Sequence, residues 1–84
     1  MIYRWYFKPA NFPERICGGT YTNKEEFEIE FRKKIVGQYE FNGLDMFLGR
    51  DMANKILSAV NEYGDRVCAE DPNTRVEYTF EIIL

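Results

Sequence analysis

Four glutamates crowd one short stretch, Glu25, Glu26, Glu28 and Glu30, and clustered carboxylates are raw material for acid–base chemistry or for holding Ca²⁺ or Mg²⁺. Arg32, Lys33 and Lys34 follow at once. The cluster therefore reads as a solvated, partly neutralised face. Cys17 and Cys68 are the other reactive side chains, and the chain has no histidine. Cys–His and Ser–His nucleophilic pairs cannot be assembled, and two thiols without an imidazole fall short of a zinc site. Gly18-Gly19 lacks the lysine and hydroxyl residue that complete a phosphate-binding loop. Asp71-Pro72-Asn73 lacks the ligand spacing and terminal glutamate of a calcium loop. The expectation is a protein without catalytic residues, metal or cofactor.

The elements that would position these residues follow from periodicity. Asn42 to Gly64 carries Leu44, Phe47, Leu48, Met52, Ile56, Ala59, Val60 and Tyr63 at three- and four-residue steps, which predicts a central helix. Asn42 is the expected N-cap, with Asp45 in the first turn and Gly64 as the C-terminal stop. Asp51 and Lys55 stand four apart on its outer side. Gly49 is discordant within it and marks a kink, a break or a close approach of another backbone.

Residues 2 to 8, IYRWYFK, suit a strand that turns Tyr3, Trp5 and Phe7 to the core and Ile2, Arg4, Tyr6 and Lys8 the other way. Pro9 to Thr22 reads as an irregular connection pinned by Phe12 and Ile16. Thr22 to Gly37 is ambiguous: Phe27, Ile29 and Phe31 alternate with charges as in a strand, whereas the end signals, including a Thr22/Glu25 capping box, are helical. Helix is the preferred reading, stacking Phe27, Phe31 and Ile35 and leaving Ile29 and Val36 nearer the other side. Arg66 to Glu70 and Arg75 to Ile83 read as a hairpin around Asp71-Pro72-Asn73, with Val76, Tyr78, Phe80 and Ile82 on one face.

The expected fold is α+β in the order β-α-α-β-β, a three-stranded antiparallel sheet with two helices on one face. If the ambiguous stretch is a strand, the order becomes β-β-α-β-β. At 84 residues, the chain makes one domain, 1–84, that buries about 60–65% of its unfolded surface. No apolar run approaches the roughly 20 residues that span a bilayer. MIYRWYFKPANF lacks the h-region of a secretion signal, so a cytoplasmic location with buried or half-buried free thiols is expected.

Fourteen acids against eleven bases, a net charge of -3, oppose direct nucleic-acid binding through phosphate neutralisation. The leading expectation is protein–protein binding by a small inhibitor or regulator. Its partner-binding residues would be Glu25, Glu26, Glu28 and Glu30 together with Glu70, Asp71, Glu77 and Glu81, an acidic surface for a larger, basic, nucleic-acid-handling protein. In size, acidity and lack of catalytic residues the chain resembles the small inhibitors that phages and mobile elements turn against host defence, anti-CRISPR proteins among them. One alternative is single-stranded nucleic-acid binding on Tyr3, Trp5 and Tyr6 with Arg4 and Lys8. Another is a homo-oligomer joined through a sheet edge or through Trp5, Tyr6, Tyr39 and Tyr63.

Overall fold

Strand β1 (Ile2–Lys8) is the hub of a four-stranded antiparallel sheet, flanked by β2 (Ile16–Tyr21) on one side and β4 (Val76–Ile83) on the other, with β3 (Cys68–Asp71) outermost beside β4. The computed structural model describes residues 1–84. Two 18-residue helices, α1 (Lys24–Phe41) and α2 (Met46–Tyr63), lie between the strand pairs in sequence, and a short 3₁₀ turn (Gly64–Arg66) follows α2. The class is α+β, and the order is β-β-α-α-β-β with four strands, not three.

The additional strand is β2, in the stretch expected to be irregular. ICGGTY has no apolar alternation, and two glycines weaken any strand signal. Its reason is steric. A Cβ built on Gly18 would sit 2.5 Å from the Trp5 ring, and one on Gly19 would overlap the Tyr21 side chain. The pair is thus a clearance for large rings, at a register shift between Trp5 and Tyr6. Phe12 and Ile16, expected to pin this stretch, are exposed.

Helix α1 begins at Asn23, whose side chain accepts from the Glu26 N–H, rather than at Thr22. It continues through Gly37 to Phe41, and Asn42 closes α1 instead of opening α2. The N-cap of α2 is Asp45, which accepts from the Phe47 N–H at 2.8 Å. Contacts from Glu28 to Asn61, Arg32 to Asn54 and Tyr39 to Gly49 run in opposite senses along the two helices, which are therefore antiparallel.

Alternation turns Trp5, Tyr78 and Phe80 towards the helices, where they meet Phe27, Phe31 and Ile35 of α1 and Ala53, Ile56, Leu57 and Val60 of α2. Trp5 and Phe31 meet edge-on at 5.0 Å, and Phe27 and Phe80 at 6.2 Å; such pairs contribute about 0.5–1.5 kcal/mol each beyond area burial. Tyr39 is fully buried as well. Gly49 faces it, and a Cβ there would stand 2.8 Å from the root of the ring, so the expected close approach is by a side chain. Leu44, Phe47, Leu48 and Tyr63, four residues of the expected α2 core stripe, are exposed instead. No helix is long and apolar enough to cross a membrane.

Candidate interaction surface

The eight acids expected to form one surface are divided by the fold. Glu25, Glu26, Glu28 and Glu30 belong to α1, on the helical side of the sheet. Glu70, Glu77 and Glu81 alternate with the inward residues of β3 and β4 and lie on the opposite, uncovered face. The sheet therefore separates the two groups.

Asp71 belongs to neither surface, because it is completely buried. Its Oδ1 accepts from the Tyr39 hydroxyl and from the Asn73 N–H, both at 2.9 Å. The second bond is the Asx turn that Asp-Pro-Asn announces; the first ties the hairpin to α1. Burial raises the Tyr39 pKa against the opposing bond from Asn73, with Asp71 adding to the rise, and burial with nearby Asp71 raises that of Tyr78 further. Both phenols stay neutral, in a structural role.

On the uncovered face Arg4 and Glu81 satisfy one another. Glu81 accepts from the Tyr6 hydroxyl at 2.8 Å and from Arg4 at 3.0 Å, and these two bonds lower its pKa. Arg4 also donates to Thr20, and Arg15 lies over the Tyr6 ring at 3.8 Å. Lys8 stands opposite Glu77. Of the aromatic platform expected on β1, Trp5 is buried and Tyr3 packs against the core, which leaves Tyr6 alone beneath Arg15.

Cys17, Tyr6, Thr79 and Cys68 form one row across the four strands. Three strand spacings separate the thiols by about 14 Å, twice the reach of a disulfide. Both thiols are exposed, not buried as expected; partial desolvation and then Glu77 raise the Cys68 pKa, which opposes nucleophilic use of that thiol.

The helical layer differs. Ile29, Arg32, Lys33 and Val36 occupy positions i, i+3, i+4 and i+7 of α1, a single stripe on the side turned away from Phe27, Phe31 and Ile35. With Met46, Phe47 and Arg50 from the first turns of α2 they line a groove of about 480 Å³. Phe47 is 77% exposed, and Ile29 and Met46 are each 50% exposed. Arg32 is steered across the helix pair by its Nε–H bond to Asn54 at 2.8 Å. The molecule holds two ion pairs, Arg4–Glu81 and Lys33–Glu30. Arg32 and Arg50 therefore have no carboxylate partner in a protein whose acids outnumber its bases.

A larger hollow of about 650 Å³ runs beside α2 at Asp51, Asn54, Lys55, Ser58 and Asn73. Its lining residues are polar apart from Leu48 and Met52, so it offers less apolar surface to cover than the groove does. The expected Asp51–Lys55 pair is not formed there.

The groove was partly legible in the sequence. Ile29 is the residue that made α1 resemble a strand, and Ile29 and Val36 fall outside the inner stripe. Met46 and Arg50 gave no such signal, because the α2 boundary was misplaced by a turn. Comparison with protein-family models, with curated proteins and with solved structures gives no match.

Proposed function

We propose that the protein works without catalysis, as an inhibitor or regulator that docks on a protein partner through the groove between α1 and α2. The observation that carries this reading is the grouping of exposed Ile29, Met46 and Phe47 with half-buried Val36, between two arginines that have no carboxylate partner. Apolar centres with charged rims are the anatomy of interfaces, and aromatic residues and arginine dominate their energetics. Releasing water from these side chains is worth about 25 cal/mol for each Å² covered.

The α1 acids remain a second candidate, since Glu25 and Glu26 are exposed and pair with no cation. The two surfaces separate in one experiment. Affinity purification from the native cells, followed by mass spectrometry, uses as baits the wild type, an Ile29→Glu/Phe47→Glu variant and a Glu26→Lys/Glu28→Lys/Glu30→Lys variant, each checked by circular dichroism. The expected result is a partner held by the wild type and the lysine variant and lost from the groove variant. A partner retained by the groove variant overturns the groove, and one lost only from the lysine variant assigns binding to the acidic end of α1.

A further inference from the structure

Resting on this docking reading, we infer that the groove takes an acidic amphipathic helix of the partner, with its apolar stripe on Ile29, Val36 and Phe47 and its carboxylates on Arg32 and Arg50. The charge pattern selects the sign. Lys33 is engaged by Glu30 at 3.4 Å, whereas Arg32 and Arg50 have no carboxylate, and no acidic side chain lines the groove. A guanidinium presents a planar fork that suits a carboxylate. A basic partner segment would meet like charge here.

The shape selects the secondary structure. The trough lies between antiparallel helices, and its α1 wall from Ile29 to Val36 rises about 10 Å, some two turns of a third helix packed into the channel. An extended strand would gain no backbone pairing, since the free sheet edges belong to β2 and β3.

Two other occupants fit the charges less well. A second copy seated groove to groove by two-fold symmetry would face cations with cations. An anionic bilayer would gain about 1 kcal/mol for each nearby cation, yet it would repel a molecule of net charge -3.

The test uses three synthetic helical peptides that share one leucine stripe at i, i+4, i+7 and i+11 and carry glutamate, lysine or glutamine on the flanks. Binding to the intact protein is followed by fluorescence anisotropy, with amide shifts locating the site. The glutamate peptide is expected to bind at least about tenfold more tightly than the lysine peptide, with the gap narrowing in salt. An Arg32→Glu/Arg50→Glu variant is expected to reverse that order, which a merely structural role for the arginines would not do. Equal binding of the peptides, no binding of any, shifts located away from the groove, or an order unchanged in the charge-swapped variant overturns the inference.

Tighter binding to phosphatidylserine vesicles than to the glutamate peptide assigns the groove to membranes and also overturns it. So does a solution mass that doubles with concentration and returns to one chain in the Phe47→Glu variant, which assigns it to a second copy. If the native partner is lost from the Ile29→Glu/Phe47→Glu variant but kept by the charge-swapped one, docking stands and the acidic helix falls.

Discussion

The uncovered sheet face and the outer face of the helix pair both carry arginine beside exposed aromatic or aliphatic side chains, yet they end in opposite electrostatic states. On the sheet, strand pairing sets Arg4 directly across from Glu81 and Lys8 across from Glu77, and Arg15 covers Tyr6. On the helices, Arg32 and Arg50 flank Ile29 and Phe47 without a carboxylate. An antiparallel ladder can set opposite charges directly across from one another, as it does with Arg4 and Glu81. The outer face of a helix hairpin has no such facing strand, and its groups are left for something else to meet. Exposed apolar area alone would not distinguish the faces, since much of any protein surface is apolar. The gathering of Arg32 and Arg50 around one apolar groove does.

That contrast can be sharpened first at the floor of the helix pair. Gly49→Ala is expected to destabilise the protein by about 1–3 kcal/mol, because overpacking against Tyr39 outweighs the gain in helix propensity. The added Cβ would lie 2.8 Å from the ring root and would push the first turn of α2, with Phe47 and Arg50, out of register with α1. Gly37→Ala, on the same pair, meets no atom within 4 Å and is expected to stabilise by about 0.5–1 kcal/mol. Thermal melts of the two variants should therefore move in opposite directions, and a shared direction would show that Tyr39 does not set the helix spacing.

The sheet face offers a smaller effect. Glu70 stands directly across from Glu77, the one like-charge pair in a face otherwise matched. Glu70→Lys should stabilise by about 0.2–1 kcal/mol, measured by urea unfolding at low salt, and should leave partner binding unchanged. A loss of binding would move the interaction surface to the sheet and break the comparison.

The smallest effect concerns Glu81, whose pKa is lowered first by the Tyr6 hydroxyl and then by Arg4. A carboxyl depressed in the folded state adds stability above its unfolded pKa and loses it as the pH falls through the folded value. The melting temperature of the wild type should exceed that of Glu81→Gln at neutral pH, and the margin should close below the ordinary carboxylate range. Because the pair is exposed, salt should shrink the margin. A constant margin would show that the pairing on this face contributes nothing.

Much of the architecture was readable beforehand. Local period sufficed for α2 and for the inward faces of β1 and β4, end signals decided α1 against its strand-like alternation, and turn residues gave the hairpin around Asp71-Pro72-Asn73, because each of these is set by neighbours in the chain. The boundary between α1 and α2 was displaced because Asn42 is chemically suited to either end of a helix, and only the continuation of α1 past Gly37 decides between them. β2 was missed because its glycines are there to clear large rings, Gly18 that of Trp5 and Gly19 that of Tyr21, and the first of these requirements is imposed from another strand.

The candidate surface shows the same limit. Composition and spacing alone established a histidine-free, acidic, helix-and-sheet protein with more apolar positions on its helices than one core stripe needs. They could not say which positions were surplus. Tertiary packing decided that by burying Tyr39 against Gly49, drawing Asp71 inside to hold the Tyr39 hydroxyl, and turning Ile29 and Phe47 outward. A side chain's partners across the fold are fixed by register and helix approach, which no local pattern encodes. Thus the acids expected to act together came to lie on opposite sides of one sheet, with Asp71 inside, and two arginines without a carboxylate partner came to lie on one groove.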